Sequence, residues 1–433
     1  MSGSRRRKLF LLIPIVVVVA LGVVASLRYQ GLLFPVRIGS GSMSESYLGP
    51  HRRIECKDCG FAFRCGLDVD VPLQRATCPN CGFDRIDVTL ATLHEGDRVL
   101  IDRWAYVRNA PQRGDVVAFV DPTHQSELAV KRIMGLPNEA VTICHGELFI
   151  DGTLHRKSLA EAMELATLVY DDTCRPADER QLPPRWSSDQ PESGWRAITN
   201  GHHWSTPRSE ESAYDWLMYR HWRCYTSPHP RAEESPVTDN DSYNQGLSRE
   251  LHEVSDLILS FDLRLEVASK IALLVHDGRE SFTAVISTTK RSLELRRGEE
   301  VLTLATLPNL QRSSNVPLQF GVVDQQLLVA IAGATLVRYE YTPLDQPRQP
   351  TSRPFGIAGA EGEFSVKNVR VHRDIYYLNP FRGDWAWNST GPLADESYLL
   401  LGDNAPLSND SRHWKTPGLH RNLFVGKVLG PLR

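Results

Sequence analysis

Ser40-Gly41-Ser42-Met43 and Lys131 are the residues of this chain whose types could do covalent chemistry together. A serine hydroxyl is a weak nucleophile until a neighbouring base takes its proton. No His-Asp pair flanks Ser42 to act as that base. A lysine can replace histidine when burial disfavours its ammonium form and lowers its pKa. Lys131 lies among Leu128, Ala129, Val130, Ile133 and Met134, an apolar run that suits such burial. A strand lysine can also snorkel to solvent, so this pair alone does not fix the chemistry.

Cysteine supplies a second constellation. Cys56, Cys59, Cys78 and Cys81 form C-x2-C-x18-C-x2-C, a spacing that suits a zinc ribbon. Each C-x2-C can present two thiolates from one tight knuckle, and two knuckles complete a tetrahedron. Gly60 and Gly82 follow the knuckles, where a close turn needs them. Four Cys ligands leave no open position, so the expected Zn2+ is structural. Two disulfides are the alternative, which an oxidising compartment would permit. Cys65, Cys144, Cys174 and Cys224 remain, with a Cys174–Cys224 disulfide open.

These groups must be held by a chain of 433 residues, long enough for two or three domains. A net charge of −3 excludes a global attraction to nucleic acid or anionic lipid. At the N-terminus Arg5, Arg6, Arg7 and Lys8 precede Leu9 to Leu27, which carries no charge. Roughly 20 apolar residues span a bilayer core, so this run is a transmembrane candidate. The cations before it place the N-terminus in the cytoplasm and the rest of the chain outside. A cleaved secretory signal ending near Ala25-Ser26-Leu27 is the competing reading.

The remainder predicts strands. Gly96-Asp97-Arg98-Val99 and Arg113-Gly114-Asp115-Val116-Val117 each turn into a β-branched run. Further strands are expected over 128–134 and 140–150, and a helix near Ser158 to Leu168. The polar, proline-bearing stretch from Asp171 to about Gly194 reads as linker. Beyond it Leu257, Leu259, Phe261, Leu263, Leu265 and Val267 alternate with polar residues, the period of a half-buried strand. Short runs of this kind recur to Val371, which predicts a sandwich or jelly roll.

Five motifs occur in order: Ser40-Gly41-Ser42-Met43, Gly96-Asp97-Arg98-Val99, Arg113-Gly114-Asp115-Val116-Val117, Val130-Lys131-Arg132-Ile133-Met134-Gly135-Leu136-Pro137, and Gly402-Asp403-Asn404 to Asp410-Ser411-Arg412. Together with the N-terminal apolar run they resemble bacterial type I signal peptidases. The resemblance covers about residues 1–50, 90–155 and 373–433. It implies that Ser42 is the nucleophile and Lys131 the general base, with no catalytic cofactor. Ser40 would donate to the oxyanion beside the Ser42 N–H, and Ser408 would orient the lysine ammonium. Asp410 and Arg412 would form a supporting ion pair. Ile38, Met43 and Val130 would line pockets for small side chains. The implied activity is removal of signal peptides from exported preproteins at the cell membrane. The sequence departs from the family pattern at Gly39, at Glu45-Ser46 and at Ala405-Pro406-Leu407.

The expected fold is mainly β: an antiparallel signal-peptidase core with an N-terminal transmembrane helix and two insertions. Residues 1–28 would form the cytoplasmic tip and anchor, and 29–50 with 89–155 the first part of the core. The zinc ribbon would occupy 51–88, a helix and linker 156–194, a laminin-G- or concanavalin-like sandwich 195–372, and the rest of the core 373–433. The sandwich should bury its own face and be separable from the chemistry. Trp195, His202, His203, Trp204, Trp216 and Trp222 are either a sugar platform or core aromatics and loop histidines. Membrane lipid and a glycan or protein ligand of the sandwich are the expected further partners, and nucleic acid is not one. The rival reading is a non-enzymatic, membrane-tethered binding protein built on a peptidase scaffold.

Overall fold

The computed structural model describes residues 16–24, 33–67, 73–123, 127–177, 182–206, 214–225, 231–378 and 386–431. The apolar run 9–27 falls partly outside these residues, and its described part, 16–24, is helical and exposed. No helix among the described residues is long and apolar enough to cross a membrane.

The chain is mainly β. One antiparallel sheet has the strand order Leu33–Arg37, Arg98–Asp102, Phe424–Pro431, Val116–Val120, Leu128–Gly135, Ser397–Leu401, Leu419–His420. The C-terminal strand Phe424–Pro431 is therefore inserted between strands from the first third of the chain. Both halves of the sequence are needed to close this sheet. Beside it, Ala140–Cys144 pairs with Glu147–Ile150 and, on its other edge, with Ala386–Pro392.

Two larger antiparallel sheets lie between these halves. Leu257–Leu265 shows why they form. Leu257, Leu259, Phe261, Leu263 and Leu265 are buried, whereas Ser260, Asp262 and Arg264 are half-buried on the other face. One hydrophobic cluster joins this strand to Phe282, Leu293, Phe355 and Ile357 of the facing sheet. Side chains from two inner faces that interdigitate in this way define a sandwich.

Residues 156–194 differ from the expected helix and linker. The helix is Leu159–Leu165, opened by Ser158, whose hydroxyl accepts from the Glu161 amide while Glu161 accepts from the Ser158 amide. It stops before Thr167–Asp171, a strand that pairs with Glu363–Arg373. Trp186–Ser187 pairs with Tyr219 and Met218. The segment reads as linker because its prolines and polar residues dominate locally. Long-range pairing, which sequence spacing does not report, places its ends in the sandwich.

Of the six aromatic and histidine candidates, Trp195, His203 and Trp216 are half-buried and the other three lie inside. Trp204 and Trp222 are buried, and His202 is buried against Asp172 at 3.0 Å. Trp204 packs on Phe364 and donates its Nε1–H to Asp215. These residues belong to the core because each indole N–H finds a partner inside.

Phe282 is fully buried in the sandwich with its ring 4.7 Å from that of Tyr341. Phe282→Ala should lower stability by about 3–5 kcal/mol, measured by denaturant unfolding.

Candidate active site

Ser42 lies in a single 3-10 turn, Gly41–Met43, just beyond the edge strand Leu33–Arg37. Lys131 lies on Leu128–Gly135, in register with Val117 of the neighbouring strand. Close backbone packing brings the turn and the strand together. Gly49 sits against Ser40 and Gly41 so tightly that a Cβ there would lie 2.3 Å from the Ser40 carbonyl carbon. At Gly402 a Cβ would lie 2.5 Å from the Ser42 carbonyl oxygen and 2.2 Å from Ser408 Oγ. No other residue type lets those segments approach so closely.

The result is a short contact between two buried groups. Lys131 Nζ stands 2.7 Å from Ser42 Oγ, and its second contact is the Val130 carbonyl oxygen at 3.2 Å. Ser40 Oγ is 3.2 Å from Ser42 Oγ. Lys131 is 4% exposed, and no carboxylate makes an ion pair with it among the described residues. Burial pushes its amine down to about 8, against the opposing pull of Asp410, Asp403 and Asp121. Ile38, Met43 and Val130 line the cleft of about 380 Å³ onto which Ser40, Ser42 and Lys131 open.

Two buried ion pairs frame the amine. Arg412 holds Asp410 through two bonds of 2.8 Å, and the Gly402 N–H donates to Asp410 at 3.0 Å. Burial alone would raise the Asp410 carboxyl, but Arg412 outweighs it and holds the group below the usual carboxylate range. Arg132, the residue after the lysine, holds Asp403 in the same bidentate way at 2.9 and 2.7 Å. Its remaining nitrogen donates to the Gly114 carbonyl and to Glu164 of the helix Leu159–Leu165. With Asp410 and Asp403 each committed to a guanidinium, no carboxylate among the described residues forms an ion pair with the lysine that would keep it protonated.

Ser408 is buried beside Gly402, and its polar neighbour is the Asp410 carboxylate, which it helps to hold down. It is brought to the site without being bonded to Lys131. Sequence reasoning assigned no role to Arg132, Asp403 or Asn404, although all three stand inside quoted motifs. Asn404 fixes the nucleophile turn: its Nδ2 donates to the Gly41 carbonyl at 3.0 Å and to Ser44 Oγ at 2.8 Å. Its backbone N–H donates to the Ser42 carbonyl at 3.1 Å. Asn404 also exchanges amide hydrogen bonds with Asn244, at 2.7 and 2.8 Å. Asn244 lies within residues 195–372, so that stretch is not separate from the site. No spacing in the sequence pointed to it.

The four cysteines converge as well. Cys56 and Cys81 Sγ are 3.6 Å apart, Cys59 and Cys78 Sγ 3.7 Å, and all four lie within 4.8 Å of one another. Gly60 and Gly82 close the two knuckles at φ +73 by donating to the Cys56 and Cys78 carbonyls. A sulfur tetrahedron with metal–sulfur bonds of about 2.3 Å has edges of about 3.8 Å, whereas a disulfide is about 2.05 Å long. The residues present fit the metal. Cys174 and Cys224 are free thiols, and Cys224 Sγ instead accepts from Arg185 at 2.7 Å.

Residues 87–206 match the family model described as signal peptidase, peptidase S26. That stretch contains Lys131 but not Ser42, Ser408 or Asp410. Over 71 residues the chain is 35% identical to signal peptidase I of Leptolyngbya laminosa, covering 14% of this chain and 34% of that one. It is 30% identical over 73 residues to a probable signal peptidase I of Synechocystis, covering 15% and 37%. The chain thus spans about a third of the length of the curated relatives it matches. Among solved structures it is similar to a carbohydrate-binding module from Bacillus subtilis, with a TM-score of 0.28, 11% identity, and 43% of this chain and 94% of that one covered. For the VIP36 exoplasmic/lumenal domain the TM-score is 0.29, with 10% identity and coverage of 44% and 84%. Likeness at this level carries no argument about what this chain binds.

Asp403→Asn removes a negative charge that favours the ammonium while Arg132 stays charged. The midpoint of any Lys131-dependent pH–rate curve should therefore move to lower pH. Leaving Arg132 without its buried partner should also cost about 3–5 kcal/mol of stability. Rates against pH and a denaturant melt check the two effects.

Proposed function

We propose that the protein is a membrane-anchored serine endopeptidase that removes signal peptides from exported preproteins by a Ser/Lys dyad. The observation that carries this reading is the 2.7 Å approach of a buried Lys131, with no ion-paired carboxylate among the described residues, to Ser42. The signal peptidase match across the Lys131 segment supports it.

The chemistry follows from the positions. Neutral Lys131 takes the Ser42 proton as Oγ attacks the scissile carbonyl carbon. The oxyanion accepts from the Ser42 N–H and the Ser40 hydroxyl, donors fixed before the reaction begins. The new ammonium can donate to Ser408 Oγ, which is buried beside Gly402 near the amine. It then returns its proton to the leaving amine, and an acyl-enzyme remains. Water activated by the same lysine completes hydrolysis. The Asp410–Arg412 pair supports the loop that carries Ser408. Ile38, Met43 and Val130 leave room for small substrate side chains, as in signal peptides that end Ala-x-Ala. The substrate would lie extended along a sheet edge.

The uncharged run 9–27 would anchor the chain in the cell membrane, with the catalytic part outside and membrane lipid around the span. Cys56, Cys59, Cys78 and Cys81 would hold one structural Zn2+ in a ribbon. The sandwich would take a glycan or protein ligand away from the dyad.

On a purified preprotein, Ser42→Ala and Lys131→Ala should each lower the rate by at least about 10³-fold while circular dichroism stays unchanged. Wild-type rates in a folded Lys131→Ala chain would rule out the dyad. The wild-type rate should rise as pH increases through about 8, because only the deprotonated amine is a base. Metal analysis should find one zinc per chain, lost together with order in the ribbon in Cys78→Ser. Zinc-free protein with these thiols oxidised in pairs would decide for disulfides.

A further inference from the structure

Away from the cleft, the hairpin strand Glu147–Ile150 meets the sandwich at a cluster of buried charge. Glu147, Asp256, Asp324 and Asp374 are 8%, 0%, 1% and 1% exposed. Two cations reach them among the described residues. Lys157 Nζ lies 2.7 Å from Asp324 and 2.9 Å from Asp374. Arg348 lies 3.1 Å from Asp256, and its nearest approach to Glu147 Oε1 is 4.0 Å. Four carboxylates against two cations leave a formal excess of two negative charges inside the protein. Isolated buried charge of that size is strongly unfavourable. Burial pushes the Glu147 carboxyl well up and the Asp374 carboxyl up to about 7, so protons compete with a cation for this charge.

The geometry points to what offsets this charge. Asp256 and Asp324 are held in place: Asp256 accepts from the Asp324 N–H at 2.7 Å and from Tyr376 Oη at 3.1 Å, and Asp324 accepts from the Lys157 N–H at 2.8 Å. Glu147 differs from these two, since its buried Oε1 has no hydrogen-bond partner among the described residues. One oxygen from each of Glu147, Asp256 and Asp324 lies within 4.8 Å of the others. Oxygens that close can share one cation, since two calcium–oxygen distances of 2.3–2.6 Å reach about 5 Å.

We propose that Glu147, Asp256 and Asp324 bind one hard divalent cation, calcium, which fastens the hairpin strand to the sandwich. An all-carboxylate set selects hard cations over zinc. Calcium suits carboxylates fixed by their own hydrogen bonds in irregular positions, whereas magnesium demands a near-ideal octahedron and retains several waters. Lys157 fills the seat between Asp324 and Asp374, so the cation sits on the Glu147 side. This site is independent of the peptidase chemistry.

The test uses the full chain, stripped of calcium over a chelating resin and checked for retained zinc. Equilibrium dialysis should find one calcium per chain, and Tm should rise with calcium. Glu147→Gln should weaken binding roughly tenfold or more and remove the rise in Tm, with zinc content unchanged. Magnesium should not substitute at the same concentration. A wild-type chain that binds no calcium overturns the proposal, as does a folded Glu147→Gln chain that binds it equally well. Equal binding of magnesium overturns the assignment to calcium. If Glu147→Gln does not fold, the wild-type titration decides.

Discussion

The burial of one lysine amine against one serine hydroxyl is the constraint on which the rest of the site depends. Lys131 must lose water and must not gain a carboxylate, or it would remain protonated. The protein meets both demands with two arginines. Arg412 and Arg132 each occupy a nearby aspartate bidentately, so negative charge surrounds the amine without being available to it. There is a thermodynamic consequence. A folded-state pKa near 8 lies below the ordinary 10.5 of a lysine, so protonation of Lys131 opposes folding. That penalty is fully present below about pH 8 and is gone above about 10.5.

The site is also assembled from distant parts of the chain. Ser42 precedes the cysteine knuckles, Lys131 follows them, and Asp403, Asn404 and Asp410 come only after the sandwich. Sheet closure by Phe424–Pro431 between two early strands brings the ends together. Asn404 then fastens the nucleophile turn, and Asn244 fastens Asn404. The knuckles are joined to the same framework, since Gln245 exchanges hydrogen bonds with the Thr77 backbone and Arg185 donates to the Asn80 carbonyl. A stretch whose alternating pattern suggests a self-contained sandwich is thus tied to the site and the knuckles by side-chain amides and a guanidinium.

Much of this was legible in sequence where the signal is local. The alternation from Leu257 to Val267 pointed to a strand that ends at Leu265, two residues short, and Ser158 with Glu161 opens a helix that ends at Leu165. The cysteine spacing predicted four sulfurs in one place. What stayed hidden is non-local. Thr167–Asp171 forms a strand only because Glu363–Arg373 offers it an edge. Trp204 and Trp222 are core residues because interior acceptors wait for their N–H groups. Asn244 has no motif at all, and the excess charge at Glu147 emerges only when residues far apart in sequence meet.

The central claim is that Lys131 is a neutral base held beside Ser42. The most direct measurement is the titration of Lys131 itself, by NMR of isotope-labelled lysine in the folded Ser42→Ala chain and in wild type. The account predicts a midpoint near pH 8, well below the ordinary 10.5 of a lysine. A Lys131 that titrates with the exposed lysines, near 10.5, would contradict it.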